Sequence, residues 1–268
     1  MKIIFENKQS LLEDKVVKFN NEMYPKFGWC VILMGGGGSG KGTVFKNKVP
    51  IEGEYYNPDD LKEIKRMWKI TNKTTGRPYE DDFKTPEEER SMKNPDFVGE
   101  LHTSLDRLSK NWKKQTYTTT DEVDRKRLPN IIFDITGKKI KSIDEIVHAV
   151  KPVGYKVAII WVLTSADLAL ENNSRRSRTV EEPILISTHL GCMDTAEYIF
   201  NSGYINKIDN FWVVDTAMKY DAKTYHKQEN VYEIPTTKDG LKKFDFIVTR
   251  LANNRLKFTN RLKEIEEK

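Results

Sequence analysis

The amino-acid sequence predicts an α/β fold in three layers, α/β/α, with a mostly parallel sheet at its centre. Three observations carry this. Continuous apolar runs of strand length recur along the chain, helical patterns separate them, and a glycine-rich segment joins the first run to a helix. A run that is apolar at every position suits a strand buried on both faces, whereas a strand with one wet face would alternate.

The elements follow in order. Trp29–Met34 (WCVILM) is the first buried run, followed by Asn130–Ile135 (NIIFDI), Lys156–Leu163 (KVAIIWVL) and Phe211–Val214 (FWVV). Helical patterns at Ser142–Val150, Ala166–Arg178 and Ile184–Phe200 alternate with them, so right-handed crossovers are expected. A further short strand is expected just before Asp59 and Asp60, and Phe97, Leu101, Leu105 and Leu108 stripe a helix that precedes NIIFDI. Ahead of the core, Leu12, Val16, Phe19 and Met23 recur at spacings of three and four, which predicts an amphipathic helix over residues 9–23. Behind it, Thr237–Lys268 places Phe244, Val248, Leu251, Phe258, Leu262 and Ile265 on one helical face, with Arg255 interrupting it. That face is expected to pack on the body rather than on a partner chain. The chain thus divides into a helical extension (1–28), a core (29–235) with a polar insertion near 71–94, and a C-terminal helix (236–268).

Composition narrows the function classes. A chain of 268 residues with 38% hydrophobic and 32% charged residues makes one large domain, or one domain with a helical appendage, with a heavily solvated surface. Its longest apolar runs, such as Val157–Leu163, fall far short of the ~20 residues that a bilayer span needs. The N-terminal stretch has Glu6, Glu13 and Asp14 and no small-residue cleavage site. A soluble, cytoplasmic protein without a membrane partner is expected. The two cysteines, Cys30 and Cys192, have no metal or disulfide spacing. A net charge of +5 permits phosphorylated or nucleic-acid partners without demanding them.

The chemistry sits in Gly35, Gly36, Gly37, Gly38, Ser39, Gly40, Lys41, Gly42 and Thr43 (GGGGSGKGT), directly after the first buried run. Glycines let successive amides wrap a phosphate chain, and the following helix N-terminus adds partial positive charge. Lys41 is expected on the β- and γ-phosphates of ATP and Thr43 on a phosphate. A hydroxyl from Thr43 or Ser39 is expected on Mg²⁺. Strand, loop and helix in this order specify a P-loop NTPase core. Asp134 closes NIIFDI, where a carboxylate holds Mg²⁺ or touches an acceptor. Asp59 closes the short strand, facing the crevice where parallel sheets bind ligands.

Loop, N-x-D-D-x-K (Asn57–Lys62) and D-x-T-G (Asp134–Gly137) together resemble the zeta-toxin-type and polynucleotide-kinase-type P-loop kinases, and the GKGT ending resembles the adenylate-kinase loop. The resemblance spans about Trp29 to Asp215. It implies an ATP- and Mg²⁺-dependent phosphotransferase in which Asp59 deprotonates or orients an acceptor hydroxyl and Lys62 meets the acceptor's phosphate. It also implies that lid arginines among 175–178 stabilise transferring charge, and that His102 touches the acceptor. Arg175 and Arg178 share a helical face, while Arg176 points elsewhere. The acceptor is left open among a nucleic-acid 5′-hydroxyl, a modified base, a nucleotide and a nucleotide sugar. A nucleoside monophosphate kinase and an ATP-binding scaffold without transfer are the rival readings.

Overall fold

A strand that is apolar on both faces needs cover on both, and the sheet here is built around that demand. The computed structural model describes residues 16–19, 22–25, 28–49, 51, 53–60, 83–118, 129–216, 231–234 and 241–267.

At the start of the chain, β1 (Val16–Phe19) and β2 (Glu22–Pro25) pair antiparallel, Phe19 opposite Glu22. This corrects the helix expected over 9–23, of which 9–15 lie outside the described residues. Val16 and Val17 are β-branched and favour a pleated strand. In this register Val16, Phe19 and Met23 do not all share a face, since Met23 stands opposite Lys18 and Phe19 opposite Glu22.

The central sheet comprises β3 (Trp29–Met34), β4 (Glu54–Tyr56), β5 (Ile131–Asp134), β6 (Lys156–Leu163) and β7 (Asn210–Asp215), all parallel, in the order β4-β5-β3-β6-β7. β8 (Val231–Ile234) adds an antiparallel strand beside β7. Side chains alternate between two cores. Cys30, Ile32 and Met34 of β3 join Val157, Ile159 and Trp161 of β6 on one face, while Trp29, Val31 and Leu33 join Ala158, Ile160 and Val162 on the other. The second face is covered by Val44 of α1 (Lys41–Lys48) and by Val49 and Ile51 after it.

The first face is covered by more helices. α2 (Pro95–Thr118) leads into the acidic strand β5. α3 (Ile140–Val150) buries Ile143, Ile146, Val147 and Val150, and α4 (Ala166–Arg175) and α5 (Glu182–Asn201) follow β6. The C-terminal helix α6 (Leu241–Glu266) packs on α5 and α4. Its Phe258 is fully buried in the main core, with Leu262 and Ile265 against it. Arg255, which interrupts the apolar face, pairs with Asp194 at 2.6 Å and Glu197 at 2.9 Å on α5. The side chains of Phe244, Val248 and Leu251 lie outside the described residues.

Of the polar insertion, residues 71–82 lie outside the described set. Residues 83–94 pack, with Phe83 and Met92 against Phe97, Val98 and Leu101 of α2. Among the described residues no helix is long and apolar enough to cross a membrane.

Candidate active site

The carboxyl ends of β3, β4 and β5 open on one cavity of about 660 Å³, the size of a small-molecule site. Residues Gly36 to Thr43 form one wall. The chain leaves β3 at Met34, and α1 begins at Lys41 with Gly40 as its N-cap at φ 86°, a left-handed conformation suited to glycine. Gly38 has φ 72°, and a Cβ there would lie 2.3 Å from the Ala169 carbonyl of α4. The tight approach of loop to helix therefore depends on glycine.

Side chains from four places hold the loop's carbonyls. Lys41 Nζ donates to Gly35 O at 2.7 Å, His189 Nε2 to Gly37 O at 2.7 Å, Asn172 Nδ2 to Gly38 O at 2.8 Å and Thr216 Oγ1 to Ser39 O at 3.0 Å. A trans peptide sets its N–H opposite its C=O, so each held carbonyl also aims the next residue's amide. The loop is thus oriented as an anion cradle at a helix N-terminus. His189 is buried, and burial pushes its pKa down to about 4, so the imidazole is neutral near pH 7.

Asp134 ends β5, mostly buried, with Lys41 Nζ 3.6 Å from one oxygen and the Tyr55 hydroxyl donating to the other at 2.7 Å. Burial and the Asp134 charge push the Tyr55 pKa well up, so its phenol stays a donor. Asp59 follows β4 in a helical turn over residues 58–60, and its N–H donates to the Asn57 side chain at 3.0 Å. Its carboxylate pairs with Arg178, whose Nε is buried without a hydrogen-bond partner. Arg176 lines the same cavity, and burial, then the neighbouring Arg178, lowers its pKa.

Among the described residues no cluster of three or more His, Cys, Asp or Glu could hold a metal by itself. That donor set fits Mg²⁺ held jointly with nucleotide phosphates, which needs only one or two protein oxygens besides water. Asp134 and the Thr43 hydroxyl line the cavity, and Ser39 Oγ is buried there without a partner.

The structure therefore gathers Gly36 to Thr43, Asp59, His102, Asp134 and Arg178 around one space, with Gly35 just behind. Lys62 lies outside the described residues. Arg175 is not brought in: it is exposed and pairs with Glu171 one turn back at 2.5 Å, so the shared helical face with Arg178 is corrected. The physical reason is that α4 stops at Arg175. Arg176 has φ −74° and ψ 154°, and beyond it helical spacing no longer applies. The buried Asn173 fixes the departing segment, donating to Val180 O at 2.8 Å and accepting from Val180 N at 3.1 Å. Sequence reasoning also missed Tyr55, Asn172 and His189. Tyr55 had a local signal, two positions before Asn57 on the short strand, whereas His189 and Asn172 reach the loop only through tertiary packing.

No protein-family model matches the chain, and no curated protein does. Among solved structures it is similar to the native AvrRxo1-ORF1:-ORF2 complex, with 14% identity, a TM-score of 0.55, and coverage of 89% of this chain and 76% of that one. It is also similar to the AvrRxo1-ORF1:AvrRxo1-ORF2 complex with ATP, at 13% identity, TM-score 0.54 and the same 89% and 76% coverage. These likenesses rest on shape, since the identities are low. With the parallel strand order and the glycine loop after the central strand, they show that the chain has the three-layer α/β fold with a mostly parallel sheet that its sequence predicts.

Proposed function

We propose that this chain is an ATP-dependent phosphotransferase that moves the γ-phosphoryl group to an acceptor hydroxyl. The observation that supports it best is the meeting of Asp59 with Arg178 in the cavity that the loop lysine and Asp134 also line. A scaffold that only held nucleotide would need the loop and no second carboxylate at a neighbouring strand end. In-line transfer needs such a group to orient the acceptor.

In this reading Lys41 and the loop amides bind the triphosphate. Asp59 accepts the proton as the acceptor oxygen bonds to the γ-phosphorus, while the bond from that phosphorus to the β,γ-bridging oxygen breaks and ADP leaves. The unsatisfied Arg178 Nε is a donor that an oxygen of the transferring group would satisfy, where it opposes developing negative charge. Mg²⁺, held by Asp134 with Thr43 or Ser39, would neutralise phosphate charge. His102, Lys138, Thr188 and Asn57 give the remaining wall hydrogen-bonding groups beside apolar Val98 and Ile184. A lining that sets hydrogen-bonding groups beside apolar ones suits a hydroxylated acceptor such as a nucleotide or nucleotide sugar. A nucleic-acid 5′-hydroxyl or modified base is the alternative acceptor.

The test is transfer of label from γ-labelled ATP with Mg²⁺ to a panel of nucleotides, nucleotide sugars, 5′-hydroxyl DNA and RNA, and hydroxymethylated DNA. We expect label on one acceptor class. The Asp59→Asn variant should lose at least ~10²-fold of that turnover, the range of general acid–base catalysis, while ATP affinity changes little. ATP binding without transfer to any acceptor would refute the proposal and favour the scaffold.

A further inference from the structure

The C-terminal helix takes no part in the reaction proposed above, yet it reaches the phosphate loop through one intermediary. The Phe258 ring of α6 stacks on the His189 imidazole of α5, centroids 4.7 Å apart and planes within 13°. That imidazole donates from Nε2 to the Gly37 carbonyl at 2.7 Å. A carbonyl oxygen only accepts, so the ring is the tautomer with its proton on Nε2. The contact is close on the neighbouring residue too. A Cβ at Gly36 would fall 2.5 Å from the His189 ring.

The position of this bond matters. The peptide joining Gly37 to Gly38 has a glycine on each side, and glycine pays little to rotate its backbone. Left alone, that peptide plane can flip and turn the Gly38 amide away from the phosphate. A hydrogen bond to its carbonyl opposes the flip only if the donor cannot move. Phe258 fixes the plane of the ring, and α6 is itself held on α5 by Arg255 with Asp194 and Glu197 and by Arg261 with Glu182 at 2.5 Å. Asn254 also donates to the Thr164 carbonyl at 3.3 Å.

We propose that His189 is a positioning residue for the phosphate loop and that Phe258 braces it, which makes the C-terminal helix part of the nucleotide-binding apparatus. The inference rests on the reading that this loop binds the nucleotide. Its test has two arms, each on the full-length chain. One is ATP·Mg²⁺ affinity by calorimetry; the other is amide hydrogen exchange over residues 35–43 without nucleotide, and thermal unfolding is recorded alongside. Removing the donor in His189→Leu should weaken ATP binding about tenfold, the loss expected for one orphaned buried group, and speed exchange in the loop. His189→Gln, which keeps an N–H donor, should recover to within about threefold of the wild type. Phe258→Leu keeps apolar bulk without the ring, touches no loop atom, and should still speed loop exchange.

Unchanged loop exchange in both His189→Leu and Phe258→Leu overturns the inference. Equal loss in His189→Gln and His189→Leu overturns the positioning role and leaves His189 as core packing. Should the wild type bind no ATP, the nucleotide reading fails, and the exchange arm still decides whether these residues hold the loop.

Discussion

Arg178 is buried beside Asp59, whereas Arg175, three residues away, lies at the surface in a helical pair with Glu171. A buried guanidinium with one unsatisfied nitrogen has a use waiting for it, and a solvated one has none. Arg178→Met should therefore lower phosphotransfer by ~10²–10³-fold, as for loss of one preorganised donor. Arg175→Ala should leave it within about twofold, since exposed ion pairs are worth little. Steady-state turnover of the two variants side by side decides this. His189 carries a second expectation at this scale. Its pKa of about 4 lies below the ordinary 6.5, so between those values the unfolded chain binds the proton and the folded chain does not. Stability then rises with pH through that window and is lost as pH falls. Urea unfolding should show the wild type losing about 2 kcal/mol more than His189→Gln between pH 7 and pH 5.

Elements place these residues, and the sequence encodes the elements unevenly. The buried strands and the loop were legible because continuous apolar runs and a glycine cluster between strand and helix are local signals. Asp59 and Asp134 followed from them, since each stands at a strand's carboxyl end. Arg175 is expected beside Arg178 only when helical spacing is carried past the residue where α4 ends, and the segment beyond is held by Asn173 bonding to Val180, a contact the pattern does not encode. The amino-terminal hairpin departs from the helix expected there because a spacing of three and four over so short a segment is weak evidence, and the β-branched Val16 and Val17 favour the strand that forms. His189 sat unmarked on an amphipathic helix, its role fixed by what α6 and the loop bring to it. The contact between Gly38 and α4 gives this scale its prediction. Gly38→Ala adds a Cβ 2.3 Å from the Ala169 carbonyl at φ 72°, so loop or helix must shift. Strain of about 1–3 kcal/mol should weaken ATP binding by about tenfold or more, with circular dichroism unchanged.

At the scale of the whole molecule, the loop is tied to α1, α4, α5 and the end of β7 at once, so occupying it should stiffen more than the site. ATP with Mg²⁺ at ~100 times its dissociation constant should stabilise the fold by about 2.7 kcal/mol. For a chain of this size that corresponds to a rise of roughly 5–10 °C in melting temperature, measurable by scanning calorimetry. No shift at saturating nucleotide would count against the loop as a nucleotide site. The sheet's borders carry a different consequence. Among the described residues, β4 is its terminal strand on one side, three residues long with Glu54 exposed, and β8 runs antiparallel on the other. A three-residue border with an acidic side chain offers an incoming strand few backbone groups and a charge to bury, which blunts strand-by-strand growth on that side. The molecule can thus keep a long, fully apolar parallel core while giving little template for aggregation along that border.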